Sequence, residues 1–210
     1  MVEPSELLEP VRCALVLQEV QRGVVGTPSV LPALAEECAR VGLVEHCEAL
    51  ARAAREVGVP VVHCTAETRA DRLGANRNAR LFAGVAKAPV ALTPGSGSVE
   101  PAIAVDERDL VLPRHQGLGP MAGTELDAVL RNQGVTTILG VGVSLNVGML
   151  DFAFDAVNHG YQFVMPRDAV AGVPAAFGES LLDHTFPLVA TLTTTSEVVA
   201  AWARSGSGRL

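Results

Sequence analysis

The stretch TTILGVGVSLNVGMLDFAFDA at residues 136–156 constrains the fold more than any other. Residues 136–143 form an apolar, β-branched run dense enough for a strand buried on both faces, as in a parallel sheet covered by helices. Val147, Leu150 and Phe154 then recur at helical spacing within 146–156, so the stretch reads as strand, tight turn and helix. Gly140, Gly142 and Ser144 are expected to let the backbone bend sharply. Free N–H groups at the helix start then sit above the sheet, where they attract anions or oxyanions. Close packing of strand against helix accounts equally well for the glycines.

The rest of the chain repeats this alternation. Residues 12–18 (RCALVLQ) are too few for a helix and read as a buried strand, and residues 59–65 (VPVVHCT) read as a second. Between them Leu31, Leu34, Cys38, Val41, Cys47, Leu50, Ala54 and Val57 recur mostly every three or four positions. This predicts an amphipathic helix over 30–57, interrupted around Gly42 and closed by Gly58. A strand, helix, strand unit with a right-handed crossover makes the sheet parallel. Residues 109–113 give a third strand, Thr124 caps a helix that Gly134 stops, and further strands fall at 161–166 and 190–195. Helices are expected near 177–186 and over 196–204. The expected fold is a three-layer α/β/α sandwich with a mainly parallel, Rossmann-like sheet of about six strands. Residues 1–11 read as a loose lead-in, 66–101 as a loop-rich insertion and 205–210 as a frayed tail, all within a single domain spanning 1–210.

A chain of 210 residues that is 49% hydrophobic but only 4% aromatic fits an aliphatic α/β core. Its formal net charge of -7, with no dense run of Lys or Arg, argues against binding nucleic acid or an anionic membrane surface. No apolar run reaches the roughly 18 residues needed to span a bilayer. The acidic start MVEPSELLEP is unlike a signal peptide, so a cytoplasmic location is expected. Cys13, Cys38, Cys47 and Cys64 lack CxxC or metal-type spacing and lie in apolar segments, as reduced, buried thiols do.

Candidate functional residues gather at strand ends, where open parallel sheets bind ligands. Glu19 and Gln21 follow the first strand, Arg114 and His115 follow the third, and Ser144, Val147 and Gly148 lie in the glycine-bearing turn. A carboxylate, a cation and a row of backbone donors can move a proton and hold an oxyanion. A solvated strand end is the plainer reading of Glu19. His63 and Cys64 point to opposite faces of their strand, so a hydrogen-bonded imidazole and a core thiol are expected rather than a dyad. Arg69, Arg72, Arg77 and Arg80 in the insertion meet an anionic ligand or a neighbour's acidic surface, or are simply solvated. No Walker A, HExxH or G-x-S-x-G sequence occurs, and the third glycine of a dinucleotide fingerprint is displaced.

The runs ALVLQEVQ, LVLPRH, GTELDAVLRNQGVTTILGVGVSLNVGMLDFAFDAVNHGY and QFVMPRDAVAG resemble the isochorismatase-like hydrolases, also called the cysteine hydrolase superfamily. The resemblance covers most of residues 12–200, and 123–171 is its specific part. In that family an Asp ends the first strand with a Gln two places on, a Lys ends a middle strand, and many members carry a nucleophilic Cys at the helix N-terminus. Here those positions hold Glu19 with Gln21, Arg114 or His115, and Gly148, so all three chemical positions depart. Gly148 supplies no thiolate, and Ser144 has no base beside it in sequence.

The isochorismatases proper are similar to this chain in having Gly at that place. Their vinyl-ether hydrolysis needs a carboxylic acid to protonate the enol carbon and water to attack the resulting cation. The resemblance therefore implies a hydrolase acting on a small anionic metabolite by carboxylate acid/base chemistry, with Glu19 as general acid or base and Arg114 as anion clamp. Gln21, His115, Ser144, Val147 and Gly148 would contact the substrate. The alternative is a catalytically silent member that binds a small molecule or serves as an oligomeric interaction protein. The resemblance also implies a homodimer or homotetramer. No cofactor and no metal are expected, because the Asp-x-His arrangement of zinc-bearing relatives has no counterpart.

Overall fold

The computed structural model of the protein describes residues 4–207; residues 1–3 of the expected lead-in and 208–210 of the expected tail lie outside the described residues. In chain order the strands are β1 (Cys13–Gln18), β2 (Val61–Ala66), β3 (Leu110–Arg114), β4 (Thr137–Val143), β5 (Gln162–Pro166), β6 (Val170–Ala171) and β7 (Thr191–Thr193). The helices are α1 (Pro4–Leu7), α2 (Arg22–Val25), α3 (Pro32–Val41), α4 (Leu43–Val57), α5 (Arg80–Val85), α6 (Leu126–Asn132), α7 (Gly148–Asn158), α8 (Ala175–His184) and α9 (Thr195–Ser207). The strands run in the order β3-β2-β1-β4-β5-β7, with β6 beside β4, and every ladder between them is parallel.

Both faces of the sheet are covered, which is why β1 and β4 are buried at every position and apolar apart from Gln18 and Thr137. Alternate residues serve opposite layers. Leu15, Leu17, Val141 and Val143 join a core with Leu34, Cys47, Leu50 and Trp202 from α3, α4 and α9. Ala14, Val16 and Ile138 face Leu130, Phe152 and Leu181 from α6, α7 and α8. The three-layer sandwich expected from the sequence is the observed fold. Each fully buried Leu or Phe in these layers contributes about 1.5–3 kcal/mol over an exposed one.

The differences from expectation have local causes. The sheet has seven strands among the described residues rather than about six, because β6 is two residues long and shows no period. The long helix divides at Gly42, whose φ of 66° lies in the left-handed region. Gly140 and Gly142 lie inside β4, the second at a φ of 113° that side-chain-bearing residues rarely adopt. The Phe163 ring fills the place of a Cβ at Gly140, and the Gln18 carbonyl does so at Gly142. For Gly140 the packing reading holds, at Gly142 packing and backbone freedom both require glycine, and the helix starts at Gly148, two residues later than the spacing predicts. The lead-in is docked rather than loose, since Leu7 and Leu8 are buried and Trp202 Nε1 donates to the Leu8 carbonyl at 3.0 Å.

The strand order reverses between β1 and β4, so the chain leaves these two strands toward opposite faces. The crevice beyond their carboxyl ends is where open α/β sheets place ligands.

Candidate active site

Beyond the end of β1 the chain turns at Glu19, whose N–H donates to the Cys64 carbonyl at 2.8 Å and whose φ is 52°. A left-handed φ costs a non-glycine residue about 1–2 kcal/mol, and such residues gather at functional sites. Among the described residues only Glu19 and Arg72, with φ of 56°, are non-glycine residues at positive φ. Both line the same cleft.

The Glu19 carboxylate is ion-paired with the Arg114 guanidinium, which is presented by the last residue of β3. Arg114 Nη1 also donates to the carbonyls of Gly117 (2.9 Å) and Gln116 (3.4 Å), and Nη2 to that of Leu118 (3.1 Å). Its Nε is buried without a partner. Burial draws the guanidinium down to about 10, with the charge of Asp151 opposing the shift, so it remains a cation at neutral pH. Spent on a carboxylate and three carbonyls, its terminal nitrogens hold Glu19 and the 116–118 loop in place. Arg114, expected as an anion clamp, thus has its terminal nitrogens engaged by Glu19 and the 116–118 loop.

Gly148 opens α7 at the end of the β4 turn. A Cβ there would lie 3.2 Å from each of Gln18 Nε2, the Leu118 carbonyl and the Val143 carbonyl. Gln18 Nε2 in turn donates to Glu19 Oε1 at 3.3 Å and to the Leu118 carbonyl at 3.2 Å, so the two strand ends interlock around the missing side chain. The Ser144 carbonyl accepts the N–H groups of Val147 (3.1 Å) and Met149 (3.0 Å). The Val147 N–H, expected to serve a ligand, is therefore occupied, whereas that of Gly148 has no acceptor among the described residues.

These ends surround a cleft of about 110 Å³ lined by Glu19, Arg114, His115, Ser144, Val147 and Gly148. Six of the seven residues singled out in the sequence thus meet in one place. Gln21 does not. It is fully buried, its Nε2 donates to the Ala66 carbonyl at 2.9 Å and its Oε1 accepts the Ala66 N–H at 2.6 Å. Gln21 clamps the turn after β1 to the end of β2 at two points and does not line the cleft.

The sequence reading missed Glu67, which follows β2 and lies 3.9 Å from His115 Nδ1 within the cleft. Its signal, a charge directly after an apolar run, is the one that revealed Glu19. Asn76, also missed, accepts the Gly117 N–H at 2.8 Å and ties the insertion to the Arg114 loop. The outer wall is apolar, with Val24, Leu31, Leu34, Phe82 and Val85. Of the four insertion arginines only Arg72 lines the cleft, while Arg69 pairs with Asp71 at the surface.

None of the four cysteines lines the cleft, and all are buried. Cys13 begins β1, at the end of the strand opposite Glu19. Burial pushes the thiols of Cys13, Cys38 and Cys64 up to about 12 and that of Cys47 higher, so none is a thiolate near neutral pH. His63 is a buried core residue with Nε2 3.1 Å from Asp109 Oδ2, as its sequence context implies.

The sequence matches the Isochorismatase domain over residues 13–197. The chain belongs to the isochorismatase family. It is 33% identical over 97 residues to the uncharacterized isochorismatase family protein YwoC of Bacillus subtilis (strain 168), a match covering 46% of this chain and 51% of that one. The chain spans about half the length of the curated relatives it matches. Its fold superimposes on a cysteine hydrolase from Pseudomonas syringae pv. phaseolicola 1448A with a TM-score of 0.80 at 24% identity, covering 94% of this chain and 95% of that one. An isochorismatase family protein from Burkholderia thailandensis gives 0.72 at 25% identity, with 93% and 97% covered. In this isochorismatase-family chain no three His, Cys, Asp or Glu side chains gather to hold a metal ion among the described residues. No helix among them is long and apolar enough to cross a membrane.

Proposed function

We propose that the chain is a hydrolase that attacks a small anionic substrate with water, using Glu19 as its acid/base group and no cysteine nucleophile. One observation carries the reading: the Glu19 carboxylate is held by Arg114 in a cleft that contains Gly148 and none of the four thiols. In this reading Gly148 occupies the place where many family members carry the nucleophilic Cys. A carboxylate paired with a guanidinium is an acceptor, so Glu19 begins as a base. It takes a proton from water as the resulting hydroxide adds to the electrophilic carbon, and the Gly148 N–H steadies the oxygen on which charge develops. Protonated Glu19 then returns the proton to the leaving group. Glu is one methylene longer than Asp, and the Arg114 pair fixes where that longer arm ends.

A binding-only role is favoured by a different observation, the filling of the space around Gly148 by Gln18 and Leu118. The two readings separate when the protein is incubated with a panel of esters, amides and vinyl ethers of small acids and the products are followed by mass spectrometry. The hydrolase reading expects conversion of at least one compound, no covalent adduct in the intact protein mass, and no inhibition by a thiol-alkylating reagent. Saturable binding without any conversion supports the binding-only role and removes the hydrolase.

A further inference from the structure

We infer that Arg72, carried by the insertion, is the anion-recognising residue of this cleft, and that its ligand is a small monocarboxylate with an apolar body. The inference rests on the cleft being the substrate site. It begins from charge. Arg114 has no free terminal donor for a ligand, because Glu19 and three carbonyls take them. Arg72 is half-buried, lines the cleft and forms no ion pair among the described residues, unlike Arg69 beside it, which pairs with Asp71.

The backbone holds Arg72 in position. Its N–H donates to the Arg69 carbonyl at 2.9 Å, and its carbonyl accepts from Ala75 at 3.2 Å. These two turns set the φ of 56°, which among the described non-glycine residues only Glu19 shares in kind, and strain of this sort persists where surrounding structure over-determines it. Four residues on, Asn76 accepts the Gly117 N–H at 2.8 Å, and the Gly117 carbonyl in turn accepts Arg114 Nη1 at 2.9 Å. The turn that presents Arg72 is therefore latched to the loop that holds Glu19.

Shape and polarity limit the rest of the ligand. Helix α5 is largely apolar yet buries none of its residues, while Leu81, Phe82 and Val85 line the cleft, with Leu31 and Leu34 from the α3 region also in its wall. An apolar ligand body covers these side chains and removes them from water. An apolar cavity of about 150 Å³ holds one benzene ring, so a cleft of about 110 Å³ takes a body no larger than a short or branched chain. Glu67, which unlike Glu19 has no arginine partner among the described residues, opposes a second negative charge, which limits the ligand to one.

The test is equilibrium binding of pentanoate, 1-pentanol and acetate, read by calorimetry or ligand-observed NMR, so that it needs no turnover. Pentanoate should bind the unsubstituted protein about tenfold tighter than either other probe, as expected for one charge-assisted hydrogen bond and one buried chain. Arg72→Gln should bring pentanoate to the level of 1-pentanol and leave 1-pentanol unchanged, and Arg72→Lys should keep part of the preference. Phe82→Ser should weaken pentanoate and 1-pentanol alike. The inference is overturned by absence of saturable pentanoate binding, by acetate binding as tightly as pentanoate, or by an unchanged preference in Arg72→Gln. The Arg72 variants are read by binding alone, whereas the acid/base reading is tested by turnover, so a failure of that reading leaves a different signature from a failure of this one.

Discussion

The two walls of the cleft are built on opposite principles. The floor is made by the ends of β1, β3 and β4, where Glu19, Arg114 and Gly148 interlock through an ion pair, carbonyl contacts and a glycine with no spare room. The insertion wall has few residues in the core: Leu73 is 71% exposed, and no residue of α5 is fully buried. Yet each wall holds one of the two non-glycine residues at positive φ among the described residues, Glu19 below and Arg72 above. On the proposed reading, the acid/base group is fixed by the sheet, while selection of the ligand falls to an insertion held by turns and the Asn76 latch rather than by core packing.

Substitutions that should divide the walls differ in size. Arg114→Leu removes a buried partner of Glu19 and three carbonyls, and is expected to lower stability by about 3–5 kcal/mol in urea denaturation. A loss below about 1 kcal/mol would mean that the floor is not held by this pair. Gly148→Cys forces a Cβ into 3.2 Å contacts with Gln18, Leu118 and Val143 and should cost about 1–3 kcal/mol. Unchanged stability there would show that the floor yields as easily as the insertion.

Beneath the floor, burial holds the His63 imidazole below its ordinary 6.5, with Asp109 opposing the shift and Arg55 reinforcing it. The unfolded chain then binds a proton below about pH 6.5 that the folded chain resists. Stability should be fully present above that pH and decline as pH falls below it, and His63→Gln should flatten the decline. Burial raises Asp109, but Arg55, the Asp106 N–H and His63 outweigh it and keep its carboxyl below 3.8, so its own contribution is lost only in a lower window. The smallest effect belongs to the insertion: Leu81→Ser should change stability by no more than about 0.5 kcal/mol. A larger loss would show that the insertion wall is packed like the floor.

The same contrast decides what could be read from the sequence. Glu19, Arg114 and His115 were legible because each follows an apolar run, and a parallel sheet gathers the ends of such runs at one edge. The resemblance to a known family pointed to Gly148. Arg72 and Glu67 lie at or inside a segment with no period, where a residue's direction is set by turns and latches such as Asn76 to Gly117. Gln21 looked like a ligand contact because its bond to the Ala66 backbone exists only once β1 and β2 are side by side. The roles of Gly140 and Gly142 depend on Phe163 and the Gln18 carbonyl, which are distant in sequence.

The central claim is that Glu19 performs the acid/base step, and its most direct test is the turnover of Glu19→Gln relative to the unsubstituted protein on a compound that the unsubstituted protein converts. The account predicts a fall of about a hundred- to ten-thousand-fold. Equal turnover in the two proteins would contradict it.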